Sequence, residues 1–209
     1  MTDIARAERA AIADLLDRVG PDAPTLCEGW RTRDLAAHIV VRERRPDASA
    51  GIVLRSVASH TRRVQAEAAA QPWPKLVAQV RERPWWSLIS NPLLDEATNK
   101  TEFFIHHEDI RRAQDDWRPR EVSSAVNAAL WERVRPIGRL ALRRTPAAVT
   151  IEAPGFGTAT AGRGGPDVRL RGEPQELLLF LSGRQAHAIV DFTGPENITA
   201  RMRKGRYGI

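Results

Sequence analysis

Apolar positions recur at helical spacing through the first two-thirds of the chain and alternate in short runs through the last third. Residues 3 to 19 place Ile4, Ala11, Ile12, Leu15 and Val19 at the three-and-four spacing of one helix face, and Gly20-Pro21 ends the run. After the loop "PDAPTLCEGW", Thr32 is the expected N-cap of a helix from 33 to about 44. Asp34 would then sit near the positive end of the dipole. Pro46 interrupts, and a third long helix is expected over 47 to 69. The segment "QPWPKLVAQVRERPWW" holds a short helix between prolines, and two more helices are expected over 93 to 115 and 121 to 142.

Beyond Pro146 the texture changes. "AVTIEA", "GTATAG" and "DVRLRG" read as short strands parted by Gly and Pro, with Val168 and Leu170 alternating against Arg169 and Arg171. Glu173-Pro174 opens a helix that Gly183 closes after "ELLLFLS". "AIVDFTG" reads as a further strand, and 195 to 204 as a final helix. The expectation is an α+β chain: a helical bundle over residues 1–145, then a small α/β unit over 146–209. The pattern shows no internal repeat.

Composition narrows the classes. With 42% hydrophobic and 28% charged residues, the 209-residue chain has the balance of a soluble protein with a real core. "LLLFL" at 177 to 181, among the longest apolar stretches, is far too short to span a bilayer. The N-terminus "MTDIARAERAAIADLL" is charged throughout and lacks the apolar core of a signal peptide, so a cytoplasmic location is expected. The single cysteine, Cys27, excludes an internal disulfide and a multi-cysteine zinc site. A net charge of +6 and a pI near 10.5 raise the prior for anionic partners. The charge is mostly arginine, however, and is scattered beside Asp and Glu; the tail "RMRKGRY" is the one compact basic cluster. Without a reading motif, nucleic-acid association ranks last among the readings.

The candidate chemistry lies in "NKTEFFIHHEDIRRA", residues 99 to 113. On a helix, Asn99, Glu102, Phe103, His106, Ile110 and Ala113 share one stripe, and Glu102 and His106 stand one turn apart. Phe103 and Ile110 mark that stripe as core-facing, where a carboxylate and an imidazole need partners. In "DLAAHIVV", His38 falls between Leu35 and Ile39 on the apolar side of its own helix. Each feature alone has an ordinary reading: a hydrogen-bonded core histidine, and a plain i, i+4 pair. Together they place two imidazoles and one carboxylate on the core faces of two helices. That set suits catalytic zinc or a non-haem iron triad, and bundle cores are where such sites are built. Asp109, three residues beyond His106, is a candidate acceptor behind that ligand, a solvated acid being the competing reading. His107 points about 100° away from His106. It is expected to meet Arg111, while Glu108 pairs with Arg112, making an ionic flank. Cys27 is expected to pack as a small residue, and Trp30, Trp85, Trp86, Phe103 and Phe104 to serve the core. His60 and His187 have no motif around them.

The pairing of "GWRTRDLAAH" with "NKTEFFIHHEDIRRA" resembles the mycothiol-dependent maleylpyruvate isomerase family, within the wider DinB-like group of metal-binding four-helix bundles. "GPDAPTLCEGW", "VVRERRPDA" and "EFFIHHEDIRRA" resemble, more narrowly, an actinobacterial branch described as metal-binding proteins. The resemblance implies a divalent metal, zinc being usual, on His38, Glu102 and His106; Asp109 and Asn99 are the residues expected behind these ligands. It implies mycothiol as a metal-activated thiol cosubstrate, a small electrophilic or acidic substrate, and an isomerase or thiol S-transferase. It also implies a sterol-carrier-like α/β domain at the C-terminus, carrying a functional arginine for which Arg184, Arg201 and Arg203 stand as candidates, and it admits a homodimer. The rival reading is a non-catalytic, metal-containing ligand-binding or sensor protein.

Overall fold

The computed structural model describes residues 4–49, 58–82, 84 and 92–205. It divides into two compact units, Asp3–Arg118 and Pro119–Ile209.

The first unit contains α1 (Ile4–Val19), α2 (Thr32–Arg44), α3 (Pro46–Ser49), α4 (Ala58–Ala69), α5 (Trp73–Arg81) and α6 (Pro92–Arg111). α1 packs on α5 and α6, and α2 packs on α4 and α5. Their apolar stripes meet in one core that includes Ile12 and Leu16 of α1, Leu35 and Ile39 of α2, Leu76 and Val80 of α5, and Phe103 and Ile110 of α6. A second cluster, Ala37 and Val41 against Val64 and Ala68, closes α2 onto α4 through small side chains. The helix expected over 47 to 69 corresponds to α3 and α4 at its two ends. Residues 50–57 lie outside the described residues, as do Trp85 and Trp86.

α2 begins one residue earlier than its sequence suggests. Arg31 is the N-cap, and its backbone N–H donates to the Asp34 carboxylate at 3.0 Å. Thr32 is fully buried and spends its hydroxyl on the Gly20 carbonyl, at 2.6 Å, so it ties α2 to the end of α1 rather than capping it. α6 stops at Arg111, where the Gln114 side-chain amide donates to the Ile110 carbonyl at 2.7 Å.

The charged side of α6 is a larger departure. His107, Glu108 and Arg112 are all buried. His107 Nδ1 lies 2.8 Å from the Glu8 carboxylate of α1, and not against Arg111. Glu108 accepts from Arg112 Nε at 2.6 Å, as expected, and from Arg111 Nη1 at 2.9 Å. α1 covers this face and brings its own acid to it, so the expected ionic flank is an internal network. Arg9 of α1 likewise makes a bidentate pair with Glu43 of α2, both contacts 2.6 Å, and stacks over Phe103 with 4.6 Å from guanidinium carbon to ring centroid.

The second unit opens with α7 (Ser124–Ala141), whose N-cap Ser123 accepts from the Val126 N–H at 3.3 Å. Four strands follow: β1 (Ala148–Ala153), β2 (Gly157–Gly162), β3 (Asp167–Arg171) and β4 (Asp191–Thr193), with α8 (Pro174–Leu181) between β3 and β4 and α9 (Glu196–Lys204) last. The sheet order is β2-β1-β3-β4, with β1 and β3 parallel and the other pairs antiparallel. Val149, Ile151 and Ala153 alternate inward on β1, and Val168 and Leu170 on β3. Arg169 and Arg171 face out and reach Glu152 at 3.0 and 3.5 Å. α8 is buried along its whole length. α7 packs on α8 and β2, so the helix whose texture groups it with the bundle belongs with the sheet. Gly138 allows this approach, since a Cβ there would overlap the Ile151 side chain. The strand expected over 188 to 194 contracts to its C-terminal half, Asp191–Thr193. The chain is α+β, and no described helix is long and apolar enough to cross a membrane.

Candidate metal centre

Two helices of the first unit converge on one cluster. α2 carries His38 amid Leu35 and Ile39, both buried, so the imidazole follows its neighbours inward and is only 7% exposed. α6 carries Glu102 and His106 one turn apart, and His106 is equally buried. His106 Nε2 lies 3.2 Å from Glu102 Oε1, and His38 Nε2 lies 3.7 Å from the same oxygen. The two imidazoles meet edge to face with ring centroids 5.2 Å apart. One ligand atom from each of His38, Glu102 and His106 falls within 4.8 Å of the others, a spacing that can hold a metal ion. Glu102 is about one-third exposed, so the cluster has a wet side.

The surroundings set the orientation of each donor. His106 Nδ1 lies 3.0 Å from Asp109 Oδ2, and Asp109 is fully buried. A carboxylate there accepts the Nδ1 proton and leaves Nε2 turned toward Glu102. The Asp109 backbone carbonyl in turn accepts from the Leu26 N–H at 3.0 Å, which fixes the loop ahead of α2 against α6. Trp30 of that loop lies beside His38, ring centroids 5.2 Å apart. Arg42, one turn beyond His38, places Nε 3.7 Å from Glu102 Oε1. Arg42 also donates to the Asn99 side-chain carbonyl, and Asn99 Nδ2 reaches Glu43 at 3.4 Å. Asn99 therefore meets the cluster through Arg42.

These contacts divide the two histidines electrostatically. Burial lowers the pKa of His38 by more than the Glu102 hydrogen bond restores, so it is neutral at physiological pH. Burial also opposes charge on His106, but hydrogen bonds with Asp109, Cys27 and Glu102 raise its pKa well above the usual imidazole range. Burial acts on Glu102 too, and its contacts with His106 and His38 outweigh it, holding the carboxyl well below its ordinary range. The raised pKa of His106 thus favours a proton on the imidazole that faces the Glu102 carboxylate.

Cys27, read from sequence as a packing residue, is half-buried beside this site. Its thiol donates to Asp109 Oδ2 at 3.3 Å, and Cys27, His106 and Asp109 form a second set of donors at metal-binding spacing. Helical periodicity carries no signal for it, because Cys27 lies on a loop. Arg42 was legible in principle, standing four residues after His38 on the same helix. His60 pairs with Asp47 at an exposed position. Among the arginines considered for the second unit, Arg184 binds the Ser182 carbonyl and Arg203 stacks on Phe192 at 4.6 Å.

Two solved structures share this fold. The crystal structure of a mycothiol-dependent maleylpyruvate isomerase matches with a TM-score of 0.61 at 14% identity, covering 91% of this chain and 90% of that one. A histidine-to-alanine mutant of such an isomerase matches with a TM-score of 0.61 at 12% identity and the same coverage. At these identities the likeness is one of fold. No family sequence profile matches the chain, and no curated protein sequence does.

Proposed function

We propose that this protein is a divalent-metal-dependent enzyme that uses a low-molecular-weight thiol, isomerising a small electrophilic or acidic substrate or transferring the thiol to it. His38, Glu102 and His106 are the proposed metal ligands, in a bundle of the DinB-like kind, with Asp109 positioning His106 and Asn99 supporting Arg42. The observation that carries the reading is the convergence of two buried imidazoles and one part-exposed carboxylate on a single point from two helices. The donor set fits zinc in its catalytic form, which takes three protein ligands and leaves one position open. The solvent-facing side of Glu102 is where that opening would lie. The neighbours of the same fold are named for mycothiol, which makes it the first thiol to test. A cytoplasmic location accompanies the proposal.

A bound divalent cation supplies one chemistry here: it lowers the pKa of a coordinated thiol, giving a nucleophile at neutral pH. The residues do the rest. Asp109 holds the Nδ1 proton of His106, which directs the Nε2 lone pair into the site. Burial keeps His38 neutral and ready to donate. Arg42 adds to the contacts with His106 and His38 that keep Glu102 ionised, and it would offer positive charge to an acidic substrate. Trp30 forms a wall beside His38.

Elemental analysis of the purified protein, combined with thiol-consumption assays on a panel of electrophiles, tests the proposal. Stoichiometric metal is expected, with loss of metal in His38→Ala and His106→Ala and loss of thiol consumption on chelation. Full metal content in both variants would overturn the ligand assignment. Metal without any thiol consumption would favour the non-catalytic binding or sensor protein.

A further inference from the structure

The second unit carries a cavity of about 610 Å³ at the C-terminal end of α7, a size that takes a small organic ligand. Part of its wall is aliphatic, from Ile137 and Leu140 of α7, Leu181 of α8, and Ile198 and Met202 of α9, and Thr145 and Asn197 add polar groups. Leu140 is 49% exposed, which makes it one of two large hydrophobic side chains left open to solvent among the described residues. Its mouth is cationic. Arg143 and Arg144, in the turn after α7, and Arg201 of α9 all line the cavity, and no Asp or Glu does.

Several arginines elsewhere in this chain pair with acids. Arg81 meets Asp14 and Asp17, Arg9 meets Glu43, and Arg169 meets Glu152. Arg144 and Arg201 make no ion pair among the described residues, and Arg143 donates only to the Leu140 carbonyl, at 2.9 Å. Three guanidinium groups bordering one cleft concentrate positive charge and leave most of their donors to solvent. An anion with an apolar body relieves both conditions, since guanidinium matches a carboxylate in a planar, two-point fashion.

We propose that this cavity binds a small organic carboxylate, its apolar body against Leu140, Leu181, Ile198 and Met202 and its carboxylate among Arg143, Arg144 and Arg201. The site is separate from the metal ligands, all of which belong to the first unit. The aliphatic part of the wall favours a ligand with an apolar body, and the arginines select against a neutral molecule of the same shape.

Isothermal titration of the full chain with octanoate, 1-octanol and acetate tests the proposal. Octanoate is expected to bind saturably, and octanol and acetate each at least about tenfold more weakly, octanol lacking the charge and acetate the apolar body. The double variant Arg144→Gln/Arg201→Gln is expected to weaken octanoate by about tenfold or more while leaving octanol unchanged. Both arginines are exposed, so the variant should keep the wild-type melting temperature and metal content. Absence of octanoate binding would overturn the proposal. So would octanol or acetate binding as tightly as octanoate, or an unaltered octanoate affinity in the double variant.

Discussion

Replacing Asp109 tests whether the arrangement behind His106 matters to the metal, without touching a ligand. The carboxylate is fully buried, its Oδ2 lies 3.0 Å from His106 Nδ1, and it faces the Cys27 thiol at 3.3 Å. Asn at this position keeps an acceptor oxygen but removes the charge that favours the Nδ1–H tautomer, while Ala removes both. Losing such a partner typically weakens metal affinity by about 10- to 100-fold, or ~1.4 to 2.7 kcal/mol. Asp109→Asn should fall near the lower figure and Asp109→Ala near the upper. Competition for zinc against a chromophoric chelator, at fixed pH and ionic strength, reads the change directly. Urea melts of the metal-free proteins run alongside, because a buried substitution also touches folding. Should both variants bind zinc like the wild type while His106→Ala does not, Asp109 is not positioning the ligand, and the tautomer argument fails.

Three further outcomes are expected. Zinc affinity should rise with pH through the neutral range, by up to about tenfold per unit, because a cation must displace the proton that His106 holds at its raised pKa. Metal-free stability should run the other way on this group's account: a raised folded-state pKa stabilises fully below the unfolded value and is lost as pH climbs through the folded one. Zinc titrations and melts at pH 6 to 9 would separate the two, and a flat zinc profile would contradict the assignment. Arg9→Met should destabilise the protein by about 3–5 kcal/mol in urea, because it takes the bidentate guanidinium from the buried Glu43 carboxylate, whereas Arg9→Met/Glu43→Leu should recover most of that loss. Gly162→Ala should cost about 2 kcal/mol or more in the same assay, as φ is +87° and the added Cβ would overlap the Ala147 carbonyl.

The sequence by itself determined the class of structure and most of the elements. Helical spacing carried α1, α2 and α6, period-two alternation carried β1 and β3, and proline and glycine set most of the breaks. It also isolated His38, Glu102 and His106, since an acid or imidazole on an apolar stripe is visible from spacing alone. Tertiary structure decided what spacing cannot encode. α6 has no single solvent face, because α1 covers its charged side and supplies Glu8, so His107, Glu108 and Arg112 became interior groups. α7 reads as one more bundle helix, yet Gly138 lets it lie against the sheet. Cys27 reached Asp109 from 82 positions away through a loop, where no periodicity operates. Periodicity reports which residues seek burial along one element. Which element covers them, and which partner it brings, is settled only when the elements pack.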